Sequence, residues 1–314
     1  MAGLLVNRIL RSVPLVLLIT LGVYGLVFLI PGDPAATLAG DNPTPEQIAH
    51  IRQSLGLDRP AVEQYLGWLL DAVRGQLGQS LYTGADVTGM ILDRFGVTAW
   101  LSVLAVLVAV VIGIPAGVLA AAARGSWIDR AITVAVTAGI AIPGFWLGLM
   151  LIIVFALQAG VFPAGGYTPI SEDFGEWLLH VTLPAVTLAA APAAELARHT
   201  RSAMLGVLEQ DYIRSARAKG VAEWAVLIRH GLKNAAGPVI TVLSFQAALL
   251  LGGSVIVEQI FGMPGLGSLA IQAVHDKDLP VLQGVVLVAA LIVMIINLLT
   301  DLAYGFLNPK VRAV

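Results

Sequence analysis

The chain has no cysteine, which excludes a disulfide framework, a thiolate metal site and a cysteine nucleophile. It is also poor in charge. Only 12% of its residues are Asp, Glu, Lys or Arg, against roughly a quarter in soluble domains. The net charge of −2 offers no basic excess for nucleic acid. The five histidines do not cluster, and His199, His230 and His275 stand apart from one another. There is no HExxH for zinc and no GxSxG elbow, and no metal site is expected. None of the lysines precedes Ser or Thr, so a GxxxxGK[ST] phosphate loop is missing too. An intramembrane protease would need a serine–histidine or paired-aspartate arrangement within apolar segments, and neither occurs. No catalytic residue is therefore assigned. If ATP drives anything here, another polypeptide hydrolyses it.

What is present is hydrophobic. Residues AVILMFWYC make up 58% of the 314 positions, a composition of an integral membrane protein. Residues 9–30 form an apolar run of about the twenty residues a spanning helix needs, flanked by Arg8 and Arg11. A cleaved signal peptide is the rival reading, but no small-x-small site follows, and Pro31-Gly32-Asp33-Pro34 ends the run sharply. Further spans are expected at 98–122, 131–158, 179–205, 236–257 and 280–306. The expected fold is all-α, with six transmembrane helices and a small extracytoplasmic helical insertion after the first. The parts are an amino terminus and first helix (1–34), the insertion (35–97) and a five-helix core (98–314). In the insertion, Pro43-Thr44-Pro45-Glu46 reads as a helix start, Gly56 as a stop and Arg59-Pro60 as the next start. Leu66, Leu69, Leu70 and Val73 then share a face. Dense small residues, as in Gly113-Ile-Pro-Ala-Gly117 and Gly252-Gly253-Ser254, predict close helix packing. The prolines at 115, 143, 184 and 192 are tolerable in a membrane bundle.

Basic residues set the expected orientation. With the amino terminus inside, thirteen of the eighteen Lys and Arg fall on the cytoplasmic side. The short segment 159–178 carries Glu172, Asp173 and Glu176 and no basic residue, as an outer loop would. Both termini are thus expected in the cytoplasm. The span interiors are almost free of ionisable groups: His180, Glu195 and Asp301 fall near span ends, leaving Gln246, Asn297 and hydroxyls. A proton-coupled carrier normally keeps a carboxylate or histidine at mid-membrane. A sodium-coupled carrier can use backbone carbonyls, although no inverted repeat is visible.

Residues 209–238 form a polar, basic island, EQDYIRSARAKGVAEWAVLIRHGLKNAAGP. Glu209 and Asp211 sit where a helix would start and Arg214, Arg217 and Lys219 follow towards its negative end. Gly220 supplies a stop. A second short helix is expected over 222–232, with Trp224, Leu227 and Ile228 on one stripe and Glu223 and Arg229 off it, and Pro238 marks re-entry into the membrane. The residues alone fit either an ordinary solvated loop or a docking surface for a partner.

The run Asp211-Tyr-Ile-Arg-Ser-Ala-Arg-Ala-Lys-Gly220, followed by Arg229-His230, Lys233-Asn234 and Pro238, resembles the cytoplasmic loop of ATP-binding-cassette importer permeases, closest to the oligopeptide, dipeptide and nickel branch. The general pattern Glu-Ala-Ala-x-x-x-Gly loses its leading Glu here, where Arg214-Ser215-Ala216 precedes Gly220; the Ala-Arg-Ala-Lys-Gly form looks like that branch's own version. The likeness covers essentially the whole chain. It includes the 31–34 motif, Gly56-Leu57-Asp58-Arg59-Pro60, Gly75-x-x-Gly78-x-Ser80, Ile142-Pro143-x-Phe145, Glu258-x-Ile260-Phe261-x-x-Pro264-Gly265-Leu266-Gly267 and Asn308-Pro309-x-x-Arg312.

The resemblance implies a non-catalytic subunit of an ATP-driven importer in a prokaryotic inner membrane. Di- or oligopeptides are the leading cargo; nickel, glutathione and haem are alternatives within the branch, and a secondary carrier is the alternative outside it. The chain would hold no cofactor of its own, with ATP and Mg bound by partners. Those partners would be two ATP-binding-cassette ATPase domains, a second homologous permease subunit, an extracytoplasmic substrate-binding protein and the lipid bilayer; nucleic acid is not expected. A coupling loop at 207–235 would contain an ATPase-coupling helix built from Glu209, Asp211, Tyr212, Arg214, Ser215, Ala216, Arg217, Ala218, Lys219 and Gly220. Tyr212 and Ala216 are expected on one side of it, small Ser215, Ala216 and Ala218 permit close approach, and Arg214 and Arg217 present charge to the ATPase or, alternatively, to lipid headgroups. An outer loop, 258–279, would face the binding protein through Glu258, Phe261, Pro264, Gly265, Leu266 and Gly267, with Phe261 plugging or lining the exit; a purely structural turn is the alternative. Phe145, Trp146 and Gln246 are weak candidates for the pathway, with core packing the alternative for each.

Overall fold

The computed structural model describes residues 13–25, 44–54 and 58–307. Among these the chain is all-helical, with one isolated bridge between Gln79 and Asp86. In chain order the helices are α1 Val13–Gly25, α2 Pro45–Ser54, α3 Ala61–Val73, α4 Val87–Ala122, α5 Trp127–Ala141 and α6 Gly144–Gln158. They continue with α7 Phe174–Leu208, α8 Asp211–Ala218, α9 Glu223–Ile260, α10 Leu266–His275 and α11 Leu279–Leu307. Among the described residues four helices, α4, α7, α9 and α11, are long and apolar enough to cross a membrane, or five spans when α5 and α6 count as one. The first expected span, 9–30, is described only as α1, and the motifs at 31–34, Gly56 and 308–312 lie outside the described residues.

Three boundaries differ from the sequence reading. The span expected at 131–158 is two helices meeting at 102°. Its cause is local: Ile142 precedes Pro143, whose ring pushes it out of the helical region, and Ile142 is extended at φ −75, ψ 121. The insertion gives way to α4 at Val87 rather than at residue 98. No helix break occurs at Pro238, because α9 begins at Glu223 and runs through that residue, with π geometry over Val226–Leu232.

The chain divides into two compact units, residues 1–96 with 268–294, and residues 97–267 with 295–314. In the first unit α1 and α3 are joined by polar contacts at their shared face. Tyr24 donates to Gln64 Oε1 at 2.8 Å, Thr20 and Tyr65 hydroxyls lie 2.9 Å apart, and the Tyr24, Tyr65 and Trp68 rings pack together. Buried Asp278 accepts hydrogen bonds from the Ser80 hydroxyl and the Leu81 amide, fixing the Gly75-to-Ser80 turn.

The second unit is built around α7. Of its apolar window 61% is buried within the chain, against 17% for α9. Small residues make this possible. A Cβ at Gly113 or Gly117 of α4 would lie 2.6 Å from the carbonyl oxygen of Ala193 or Ala197, respectively. The pairs 113/117 and 193/197 share the four-residue spacing that aligns positions along a helix face, so the backbones approach closely. Gly139 of α5, Gly148 of α6 and Gly253 of α9 likewise press on Ala194, Thr187 and Leu188. At 35 residues, α7 is about 50 Å long, well beyond the ~30 Å of a hydrocarbon core, so it cannot stand upright wholly within the lipid.

Replacing Gly117 by Val would force apart α4 and α7, because its Cβ would also lie 2.6 Å from the Thr200 Cβ. The expected loss is about 1–3 kcal/mol, seen as a lower midpoint in thermal unfolding of the purified protein. Gly206→Ala, which meets open space, should leave the midpoint unchanged or raise it.

Candidate functional site

Two residues beyond α7, the chain turns into α8. An isolated eight-residue helix is not stable in water, and this one is held by an apolar seam. Ile213 and Ala216 are buried against Val226, with Leu208 and Val221 packed beside them. Its end is closed by a Schellman motif. The Val221 amide donates to the Ala216 carbonyl at 3.2 Å and the Gly220 amide to that of Arg217 at 2.9 Å, with Gly220 at φ +77. Val221 then meets Ala216 in the seam, the apolar contact that accompanies this cap.

The seam defines which face is free. Asp211, Arg214, Ser215 and Ala218 lie opposite it, all exposed. Tyr212, 43% exposed, is on a flank with Lys219. Ala216 lies one turn on from Tyr212 and about 40° round the helix from it, but it offers no close approach to a partner, because it is packed against its own chain. Ile213 and Ala216 are about 60° apart on the helix and form the buried face, while Tyr212 stands at its rim and stays partly exposed. In the following segment Val226 is buried and Leu227 packs against the cluster around Met204, while Trp224 and Ile228 are exposed, so the expected stripe of Trp224, Leu227 and Ile228 packs only through Leu227.

The charges are largely paired. Arg217 meets Glu223 through two hydrogen bonds, the shorter 2.6 Å, which hold its guanidinium above its ordinary range. Arg214 lies 3.2 Å from Asp211, one turn back. Glu209 belongs to the end of α7, not to α8, and pairs with Arg124 at 2.6 Å. Close by, Arg201 of α7 grips buried Asp129 of α5 through two bonds of 2.7 and 2.9 Å, while Asp129 also accepts from the Gly125 amide and Ser126 caps the start of α5. Two ion pairs thus fasten the α4–α5 turn and the start of α5 to the end of α7, just before α8. Sequence reasoning missed Asp129, Arg201, Ile213 and Val226; an aspartate in the first turn of α5 was the visible signal for one of them.

The 258–267 turn is a second locus. Glu258 lies in the last turn of α9 and is fully buried. Thr98 donates to its Oε1 at 2.7 Å and accepts the Leu266 amide at 2.8 Å. The same carboxylate fills the space beside Gly265 and Gly267, and a Cβ at Gly267 would sit 2.5 Å from the Val255 Cα. Phe261, only 1% exposed, belongs to the core with Trp177, Val181 and Met263. Its carbonyl accepts the Gly166 amide at 2.8 Å. It neither plugs nor lines an opening here, because Gly148 and Gly165 leave room for it inside the fold. Leu266 is buried as well.

A cleft of about 330 Å³ opens at the α5–α6 break, between α6, α7 and α9. Phe145 and Gln246 line it, and Trp146 does not. Gln246 and Thr187 supply its only polar side chains, and the Thr187 hydroxyl is spent on the Leu183 carbonyl. Among the described residues no three His, Asp or Glu side chains converge to hold a metal.

These features define a helical, multi-pass membrane subunit with a short polar helix docked at the end of its central column. Residues 113–313 match the family described as binding-protein-dependent transport system inner membrane component, and residues 1–102 match its amino-terminal companion. The chain belongs to this family of ATP-binding-cassette importer permeases, in the peptide and nickel branch. It is 41% identical over 312 residues, 99% of each chain, to a Brucella abortus protein provisionally named a peptide transport system permease. It is 40% identical over 313 residues, 99% of each chain, to the glutathione transport system permease protein of Escherichia coli K12. Among solved structures, an inward-facing MetNI methionine ABC transporter aligns with a TM-score of 0.58 at 20% identity, over 70% of this chain and 96% of that one, a likeness of fold.

Arg201→Ala would leave Asp129 buried without its partner, and should lower stability by about 2–3 kcal/mol, the partial exposure of Arg201 keeping the cost near the lower end for such pairs. Asp129→Asn, which keeps an acceptor for Gly125, should cost less. Thermal unfolding of both variants checks this, and a wild-type midpoint for Arg201→Ala contradicts it.

Proposed function

We propose that this chain forms half of the translocation pathway of an ATP-driven importer of short peptides, and that α8 is where a separate ATPase engages it. The observation that carries this reading is the construction of α8. A solvated loop has no need of a buried seam and a closed cap, whereas a helix that receives force must not shear against the column behind it. Its free face, Asp211, Arg214, Ser215 and Ala218, is polar and small, suited to a cleft in another protein.

Six spans, cytoplasmic termini, an extracytoplasmic insertion from residue 35 to the start of α4 and a cytoplasmic 207–235 loop complete the arrangement. The partners are a second similar permease, two ATPase domains binding ATP and Mg, and an extracytoplasmic binding protein meeting the 258–279 loop. Movement of α8 passes to α7, and through Arg201–Asp129 to α5, which ends at the bend beside the cleft. Peptides are favoured as cargo because the names of both relatives fit short peptides, glutathione being a tripeptide. A nearly uncharged cleft suits weak, unselective passage, with selection left to the binding protein.

The test is uptake of labelled dipeptide and of glutathione into vesicles carrying the reconstituted complex. Ala218→Trp or Arg214→Gln, both outside the seam, should cut ATP-dependent uptake at least about ten-fold (~1.4 kcal/mol or more) without changing insertion or melting. Arg217→Glu is a poor probe because it would face Glu223; Arg217→Glu with Glu223→Arg keeps the pair. Wild-type uptake by the α8 variants contradicts the docking role, and uptake that survives ATP depletion but collapses with an uncoupler points to a secondary carrier instead.

A further inference from the structure

Helix α3 has an apolar face that none of the described residues covers. Gln64, Tyr65, Trp68 and Ala72 are half-buried and turned towards α1 in the first unit. On the adjoining face, Val62, Leu66, Leu70 and Val73 recur at helical spacing and are all exposed, from 50% to 80%. The remaining arc is polar, with Glu63 and Asp71 exposed. Exposed apolar side chains scattered singly would be unremarkable; four aligned along three turns are a surface that something covers.

We infer that α3 lies in the membrane interface, its Val62-Leu66-Leu70-Val73 face inserted into the bilayer at the boundary reached by the Tyr24 end of α1. The face continues an apolar wall. α3 is bonded side by side to α1, whose own Leu17, Leu18 and Leu21 are exposed, and in a membrane subunit such leucines meet lipid tails. The two exposed apolar sets sit on hydrogen-bonded neighbours, so one apolar medium serves both. The polar groups around α3 are distributed to match. Arg59 and Arg74, both exposed, stand just before and just after α3, Arg74 3.6 Å from Asp71 of the polar arc, so that positive charge borders the apolar face at both ends, as long basic side chains do at the phosphate level. Tyr24, Tyr65 and Trp68 also cluster between α1 and α3, and aromatic side chains with one polar tip concentrate at the membrane–water boundary. Amphipathic helices with this division lie in the interface plane. The insertion would then be a float that sets the height of the outer segment, rather than a cap standing free in water.

This inference rests on the chain being a membrane permease, not on the assignment of α8, and its test does not read transport. Because the chain has no cysteine, single cysteines can be placed at 62, 63, 66, 67, 70, 71 and 73 and spin-labelled before assembly with the partner subunits in phosphatidylethanolamine–phosphatidylglycerol vesicles. Labels at 62, 66, 70 and 73 should collide more with dissolved oxygen than with an aqueous nickel chelate, and labels at 63, 67 and 71 the reverse. Chelate accessibility at all seven positions overturns the inference. So does a label at 66 or 70 shielded from both probes, which would mean a protein covers the face; if the shielding arises only on adding the binding protein, that protein is the occupant.

Discussion

A seam of three side chains, Ile213 and Ala216 against Val226, is the contact on which the rest of the account depends. Without it, the eight residues of α8 would not stay helical, and any push on them would be lost in loop motion. With it, α8 is a rigid extension of α7 and α9 at once, since it follows the first in sequence and packs on the first turns of the second. The Schellman cap at Gly220 fixes the angle between them.

The seam would matter little if α7 were loosely held. Its packing answers this through size: Gly113 and Gly117 of α4 leave no room for a Cβ against α7, and Gly139, Gly148 and Gly253 bring α5, α6 and α9 tightly against it. Lipid supplies no hydrophobic drive between helices, so close backbone approach is what holds such a bundle together. The two ion pairs at the same end, Arg124–Glu209 and Asp129–Arg201, add direction. They bind the α4–α5 turn and the start of α5 to α7, and α5 ends at the Ile142 bend that opens the cleft. A displacement at one end of this frame has a continuous route to the only described break in a spanning element.

Much of this was legible in the residues. Spans announce themselves by length and apolarity, and the basic island by contrast with them. Gly220 was readable because a positive φ has few other occupants. What stayed hidden depends on partners distant in sequence. Hydropathy does not record an angle, so 131–158 read as one span although Pro143 was in view. Ile213 is a single aliphatic residue in a polar octet, which leaves no periodicity to count, so its burial together with Ala216 could not be read from the residues. Phe261, in a turn rich in Gly and Pro, looked like an exposed plug; the glycines that make room for it, Gly148 and Gly165, lie far upstream. Glu258 looked like loop charge because the Thr98 that binds it belongs to another helix.

The most direct measurement of the central claim is site-specific photo-cross-linking in the intact membrane. A cross-linker at Ala218, on the free face of α8, should capture the ATPase subunit, and one at Ala216, inside the seam, should not. Capture of no ATPase from Ala218, or labelling of that position by an impermeant reagent added outside the cell, would contradict the account.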